Sequence, residues 1–375
     1  MEKQPSYELK DYEILISDKF ILDARKRINT RTEIYFGTII NSKEKIVFKL
    51  EPTRKYFYYD ILENENKIKN ISYLYKEREI YKLLEGIERI PKIYWIGTQG
   101  NYNCLVMELL GNSLNELMVY FGGKFSLGTT IKISVQILNI IKEIHKRGVV
   151  LRYLKPDNIV MGREENKDYV YLIDFEIAKR YIKNGKHIPY KEGKKVKGNV
   201  KFISVNTHCG KQISRRDDIE CLGYNLIIFM KGRLPWSEKN KDKKIKLIKM
   251  NISLDELCEG LPEEFKEFIN YAKNLDFEQE PDYSYLNGLL MKVAEKNGID
   301  INNIKYDWDI KKEKEKINSM NKEDNNKEKE KENKIKEIKE EEEKNNNKNK
   351  EGYINDETDN DINDGRNDDK DDEEK

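Results

Sequence analysis

Along the first third of the chain, apolar residues recur at the short spacing of strands. Ile34-Tyr35-Phe36-Gly37-Thr38-Ile39-Ile40 and Lys45-Ile46-Val47-Phe48-Lys49-Leu50 are β-rich runs, with Asn41-Ser42-Lys43-Glu44 as a turn between them. The strand-like pattern extends back to Phe20. Residues 51–70 are polar and read as a loop or insertion, followed by a helix over 74–84 and strands over 93–96 and 104–109. After Gly111 the period changes. Helices are predicted over 113–122 and 127–147, the second with Ile131, Val135, Leu138, Ile141 and Ile144 on one face. Short strands follow at 159–160 and 170–173, then helices near 217–231, 243–250, 262–274 and 283–296. The pattern predicts an α+β chain in four parts: an N-terminal extension (1–19), a β-rich lobe (20–110), a helical lobe (111–310) and a tail (311–375).

Composition changes this picture mainly at the end of the chain. Charged residues make up 37% of the sequence, against roughly 25% in an ordinary soluble protein. Lys and Arg (70) balance Asp and Glu (69), so net charge points to neither nucleic acid nor membrane. The excess lies beyond residue 311, which is almost entirely Lys, Glu, Asn, Asp and Ile. Such a segment buries too little apolar surface to offset its ordering entropy and is expected to be disordered, with 329–344 able to form a solvated helix. Cys104, Cys209, Cys221 and Cys258 have no paired spacing and read as reduced thiols; His145, His187 and His208 lack metal-ligand spacing. The N-terminus has no signal-peptide core and no apolar run is long enough to span a bilayer, so the expected setting is cytoplasmic or nuclear.

The segment Leu151-Arg152-Tyr153-Leu154-Lys155-Pro156-Asp157-Asn158, followed by Asp174-Phe175-Glu176, resembles the catalytic loop and metal-binding motif of protein kinases, H-R-D-x-K-x-x-N and then D-F-G. Met107-Glu108-Leu109-Leu110-Gly111, His187-Ile188-Pro189-Tyr190, Ser204-Val205-Asn206-Thr207-His208, Ser214-Arg215-Arg216-Asp217-Asp218 and Leu234-Pro235-Trp236 narrow the resemblance to casein kinase I, with vaccinia-related kinases next. It covers about residues 20–310 and implies a bilobal kinase-like fold. It further implies that Lys49 contacts nucleotide phosphates and is held by Glu77, 28 residues on. Glu108 and Leu110 would offer backbone groups to adenine, Asn158 and Asp174 would hold Mg²⁺, and Lys155 would neutralise the transferring phosphate.

Three positions depart from the family pattern. Tyr153 stands where the family has the catalytic Asp; a phenol with an ordinary pKa of about 10 is a poor proton acceptor at neutral pH, and general-base help is worth roughly 10²–10⁴-fold. The aligned phosphate-covering stretch Arg27-Ile28-Asn29-Thr30-Arg31-Thr32 has no glycine, and its β-branched residues stiffen it. Lys26, Arg27 and Arg31 there read either as an anion site or as a solvated basic turn. Glu176 replaces the D-F-G glycine; it either repels a triphosphate or adds a metal ligand. Packing positions fare differently: Leu151, Phe175 and Tyr81 match the buried stack joining the lobes, and Asp218 matches the residue that fastens the catalytic loop.

These residues support a pseudokinase acting as a binding or scaffolding protein, with ATP and Mg²⁺ bound weakly or not at all. The alternatives are a weakly active Ser/Thr kinase for acidic or primed substrates, and another phosphate-transfer reaction on the same fold. Lys201 aligns with a basic family position, with Lys194, Lys195 and Lys197 near it in sequence. The expected partner is therefore a protein or an acidic or phosphorylated peptide, bound by a monomer, with no nucleic acid and no membrane. Simply solvated lysines are the competing reading.

Overall fold

The computed structural model describes residues 14–28, 32–53, 72–238 and 242–316, with scattered residues between 318 and 340. The chain divides into two units, Met1–Trp308 and Asp309–Lys375.

The first unit begins with six antiparallel strands: β1 (Ile14–Ile16), β2 (Phe20–Ile28), β3 (Glu33–Ile39), β4 (Lys45–Pro52), then α1 (Tyr73–Leu84), β5 (Ile93–Gln99) and β6 (Tyr102–Glu108). The sheet order is β1-β2-β3-β4-β6-β5. Strand alternation divides the side chains between two faces. Ile46, Phe48 and Leu50 of β4 join Cys104 and Val106 of β6 in one apolar cluster with Phe20, Leu22 and Tyr35. Val47 of β4 and Leu105 and Met107 of β6 belong instead to the cluster containing α1. Lys49 shares the parity of Val47 and therefore faces α1.

The helical part comprises α2 (Leu114–Tyr120), α3 (Leu127–Lys146), the short strands β7 (Val149–Val150), β8 (Ile159–Met161), β9 (Val170–Leu172), β10 (Lys179–Arg180), β11 (Ile182–Lys183) and β12 (Lys186–His187), and then α4 (Val205–His208), α5 (Arg215–Lys231), α6 (Asp242–Asn251), α7 (Leu254–Cys258), α8 (Glu263–Asn274) and α9 (Tyr283–Lys296). Its core is continuous with that beneath the sheet: Leu74, Tyr81 and Leu84 of α1 lie in one cluster with Leu151, Leu172, Phe175, Leu222 and Leu290. Arg147 adds a polar tie, donating to the carbonyls of Leu83 (3.2 Å) and Glu85 (3.1 Å) at the end of α1. This is the strand-rich lobe followed by a helical lobe that the hydrophobic pattern predicts.

Some local expectations are corrected. Ile14–Ile16 pairs with β2, so the sheet starts inside the expected extension. Helices α4 and α7 were not predicted; both are too short to show a period, and each begins at a serine whose side chain caps it. In the second unit, residues 309–316 and the described residues from 318 to 340 are helical, where disorder was expected from 311. Lys and Glu one turn apart, such as Lys311 and Glu315 at 4.0 Å, favour a solvated helix without a core. Residues 341–375 lie outside the described residues, as do Asn29–Arg31 of the phosphate-covering stretch. All four cysteines are free, and among the described residues no helix is long and apolar enough to cross a membrane.

One charge sits deep in the helical lobe. The Lys249 ammonium of α6 lies against Tyr224 (4.8 Å) and Trp236 (5.0 Å) and donates to the Ile203 carbonyl at 2.5 Å. Burial pulls its pKa down from 10.5 to about 8. The folded state thus binds this proton less tightly than the unfolded chain, so Lys249 contributes stability as pH rises from about 8 towards 10.5 and loses it as pH falls through about 8. Urea unfolding of wild type and Lys249→Met at pH 7.5 and pH 10 checks this. The wild type should gain on the variant by on the order of 2 kcal/mol at the higher pH; a constant difference would contradict the assignment.

Candidate functional site

The sequence-predicted residues Lys49, Glu77, Asn158 and Asp174 are placed by four different elements or turns. Lys49 projects from β4 towards α1, where Glu77 occupies a buried turn. The Lys49 Nζ lies 2.8 Å from Glu77 Oε2 and 2.9 Å from Asp174 Oδ1. Glu77 also accepts from the backbone N–H of Phe175 through its other oxygen, at 3.2 Å. The three charged groups therefore form one buried network linking sheet, helix and the Asp174-Phe175-Glu176 turn.

The 28-residue separation of Lys49 and Glu77 is accommodated by Glu51, a residue the sequence reading did not single out. Its carboxylate is fully buried and accepts from Ser72 Oγ, from Tyr73 N (2.9 Å), from Leu74 N (3.4 Å) and from Asn103 Nδ2 (3.2 Å). A carboxylate on free N–H groups at a helix start is favourable by both hydrogen bonding and dipole. Glu51 thus clasps the first turn of α1 to the end of β4, and the helix is set against Lys49 whatever the length of chain between Thr53 and Ser72. The visible signal was an acidic residue directly after the apolar Leu50, near the end of β4.

Electrostatics follow the geometry. Burial works against the Lys49 charge, but Asp174 and Glu77 outweigh it and hold the ammonium well above its ordinary value. Burial raises Glu77 above the usual carboxylate range, with Lys49 pulling the other way. Burial would also raise Asp174, yet Lys49 and then Lys155 bring its carboxyl below the ordinary value. Asp174 is the more open of the two carboxylates.

The loop between β7 and β8 carries Tyr153, one of the three expected departures from the family pattern. Arg152 and Asp174 each adopt a left-handed backbone, both at φ 68°, a conformation that costs a non-glycine residue free energy and persists only where the surroundings impose it. Asp218 of α5 supplies that constraint on Arg152, accepting from Leu151 N (2.7 Å), Arg152 N (2.8 Å) and His145 Nε2 (2.9 Å). His145 was dismissed as a metal ligand; it serves as a support, its Nδ1 meeting the Tyr283 hydroxyl at 2.7 Å. Leu151 is buried beside Tyr81 and Phe175, whose rings meet edge to face at 5.0 Å. Asn158 donates from Nδ2 to the Tyr153 carbonyl at 3.2 Å, which directs its Oδ1 elsewhere. Lys155 Nζ stands 4.8 Å from the Tyr153 ring centroid and 3.6 Å from Asp157 Oδ2.

Oxygen donors Asp174 and Asn158 suit a hard divalent cation, although no group of three His, Cys, Asp or Glu residues fit for a metal occurs among the described residues. At the end of β6, Glu108 pairs across the strand with Ile46, and its side chain accepts from Lys92 N at 3.0 Å. Leu110 follows in the irregular segment between the lobes.

A second, basic cavity of about 170 Å³ lies beside the loop, lined by Arg152, Lys179, Lys194, Lys195, Lys197 and Lys211. Burial and the surrounding cations lower the pKa of Lys179, and burial does the same for Arg152. Lys201, the residue named from sequence, is not among the lining residues; its carbonyl accepts from Trp236 Nε1 at 2.7 Å. Arg152, Lys179 and Lys211 come from separate stretches of chain, and linear proximity revealed only Lys194, Lys195 and Lys197.

A family model described as protein kinase domain matches residues 47–284, more than half of the chain. Its span takes in the β4 lysine, α1, the Tyr153 loop, Asp174 and the basic cavity.

Removing Asp218 tests how firmly the loop is held. Asp218→Ala strands two buried N–H groups and His145, and should lower unfolding free energy by about 3 kcal/mol in urea melts. A loss below about 1 kcal/mol would mean that the loop is set by other contacts.

Proposed function

Since the chain belongs to the protein kinase domain family, we propose that it is a casein kinase I-like pseudokinase, a binding or scaffolding protein that keeps a nucleotide-shaped cleft without efficient phosphoryl transfer. The observation that carries this reading is Tyr153. A phenol occupies the place of the proton-accepting carboxylate, and its ring faces Lys155 at 4.8 Å, the cation otherwise available to the transferring phosphate. A cation over an aromatic face is attracted by about 0.5–2 kcal/mol, so this contact competes with a phosphate for Lys155. Kinase catalysis is mostly positioning and charge stabilisation, and both are altered at this point.

In this reading Lys49 binds nucleotide phosphates and Glu77 holds it in place. Glu108 and Leu110 present backbone groups to adenine, while Asp174 and Asn158 take Mg²⁺. The nucleotide and its metal, when bound, would supply a polarised γ-phosphate. The chain's own residues then orient it but provide no carboxylate at Tyr153 to receive a hydroxyl proton. Glu176, half-buried next to Asp174, adds negative charge felt by Glu77, which disfavours a triphosphate. The basic cavity around Arg152 and Lys179, rather than Lys201 alone, is the proposed seat for an acidic or phosphorylated segment of a protein partner.

A second reading, a weakly active Ser/Thr kinase for acidic or primed substrates, is favoured by one observation: the Lys49–Glu77 pair is closed and Asp174 sits beside it. Positioning alone accelerates transfer. Two measurements separate the readings. Thermal unfolding with increasing ATP, with and without Mg²⁺, should show a concentration-dependent rise in midpoint if the cleft binds nucleotide. Labelled phosphate transfer to casein should be at background for the wild type and should rise by about 10²-fold or more in Tyr153→Asp if only the base is missing. Lys49-dependent transfer by the unaltered chain would overturn the pseudokinase reading.

A further inference from the structure

The outward face of α6 bears two large apolar side chains that stand open among the described residues: Leu247 is 58% exposed and Met250 51%. They lie three residues apart and so share a helix face, with Lys243 and Lys244 one turn before Leu247 on the same side and also exposed. The surface continues across the fold. Met250 Sδ lies 3.9 Å from Cys209 Sγ. Cys209 precedes Gly210, whose carbonyl accepts from Lys194 N at 2.8 Å, and Lys194 and Lys195 are exposed beyond it. Two apolar residues are thus flanked by lysines on both sides. An exposed apolar centre with a charged rim is the anatomy of a protein-docking surface.

The inner face of the same helix explains why the surface is well formed. Ile245 is buried, and Lys249 reaches inward to the Ile203 carbonyl. Trp236 Nε1 donates to the neighbouring carbonyl of Lys201, and Glu220 accepts from Val205 N at 2.8 Å. Helix α6 and the 201–209 segment are consequently pinned to a common buried support, so Leu247, Met250 and Cys209 form one rigid patch.

We propose that this α6 patch docks an acidic amphipathic helix of a partner protein, its apolar side chains seated on Leu247 and Met250 and its carboxylates facing Lys243, Lys244, Lys194 and Lys195. Charge complementarity selects the acidic partner, and the apolar pair selects an amphipathic one over a simple polyanion. The surface shares Lys194 and Lys195 with the basic cavity, while Leu247 and Met250 of α6 line neither that cavity nor the nucleotide cleft, so the inference holds whether or not the cleft transfers phosphate.

The test uses the full chain and fluorescein-labelled synthetic helical peptides of about 14 residues, four turns. One peptide carries leucines along one face with glutamates elsewhere; a second replaces those leucines by serine. Anisotropy should show saturable binding of the first peptide, weakened at least about tenfold by Leu247→Glu or Met250→Glu and by loss of the peptide's leucines, and weakened further by added salt. Circular dichroism of both variants should match the wild type, since neither side chain is buried. Equal binding of the two peptides, or binding indifferent to both substitutions, would overturn the proposal. So would a preference for vesicles of anionic phospholipid over the leucine-bearing peptide, which would make the patch a membrane contact.

Discussion

The arrangement depends on a buried ammonium shared by two carboxylates. Lys49 reaches from the sheet to Glu77 on α1 and to Asp174 at the end of β9's connection, and each partner comes from a different part of the chain. Burying three charges together is expensive unless each is paired and hydrogen-bonded. Here the balance is met: Glu77 uses its second oxygen on Phe175 N–H, and Asp174 gains from both Lys49 and Lys155. Geometry so constrained leaves α1 little freedom to swing away from the sheet, because doing so would leave two carboxylates and an ammonium unpaired. The apolar stack of Tyr81, Leu151 and Phe175 reinforces the same placement with packing.

This division between support and chemistry runs through the site. Groups that hold the loop are complete: Asp218 is fully used by three donors, and His145 braces it from behind. Beside them, the Tyr153 ring is engaged with Lys155. A fold under selection only for stability would have little reason to keep a lysine buried between two acids. The buried lysine thus marks the cleft as a retained feature of the kinase-domain fold.

Much of this was legible in the residues. The strand and helix periods foretold β3, β4, α1, β5, β6, α3, α5, α8 and α9 to within a few residues, because each is long enough to show its repeat. The fold brings Lys49, Glu77 and Asp174, named through the resemblance, into one network, and Asn158 accepts from Ile173 N–H next to Asp174. What escaped the sequence was contact between distant stretches: the use of Glu51 as a helix clasp, the bracing of Asp218 by His145, and the gathering of Arg152, Lys179 and Lys211 around one cavity. Such groupings depend on how loops fold back, which no local period encodes. In the second unit low hydrophobicity rules out a core, yet acid and base one turn apart favour a solitary solvated helix, which the sequence allowed over 329–344 and which the described residues already form from 309.

The Glu51 clasp has one more effect. Chain leaves β4 and returns at α1 within reach of a single side chain: Thr53 N–H bonds the Asn101 carbonyl, and Ser72 and Tyr73 bond Glu51. Because these bonds fix both posts, the register of α1 against Lys49 is decided at the two ends of the connection and not by the number of residues that join them.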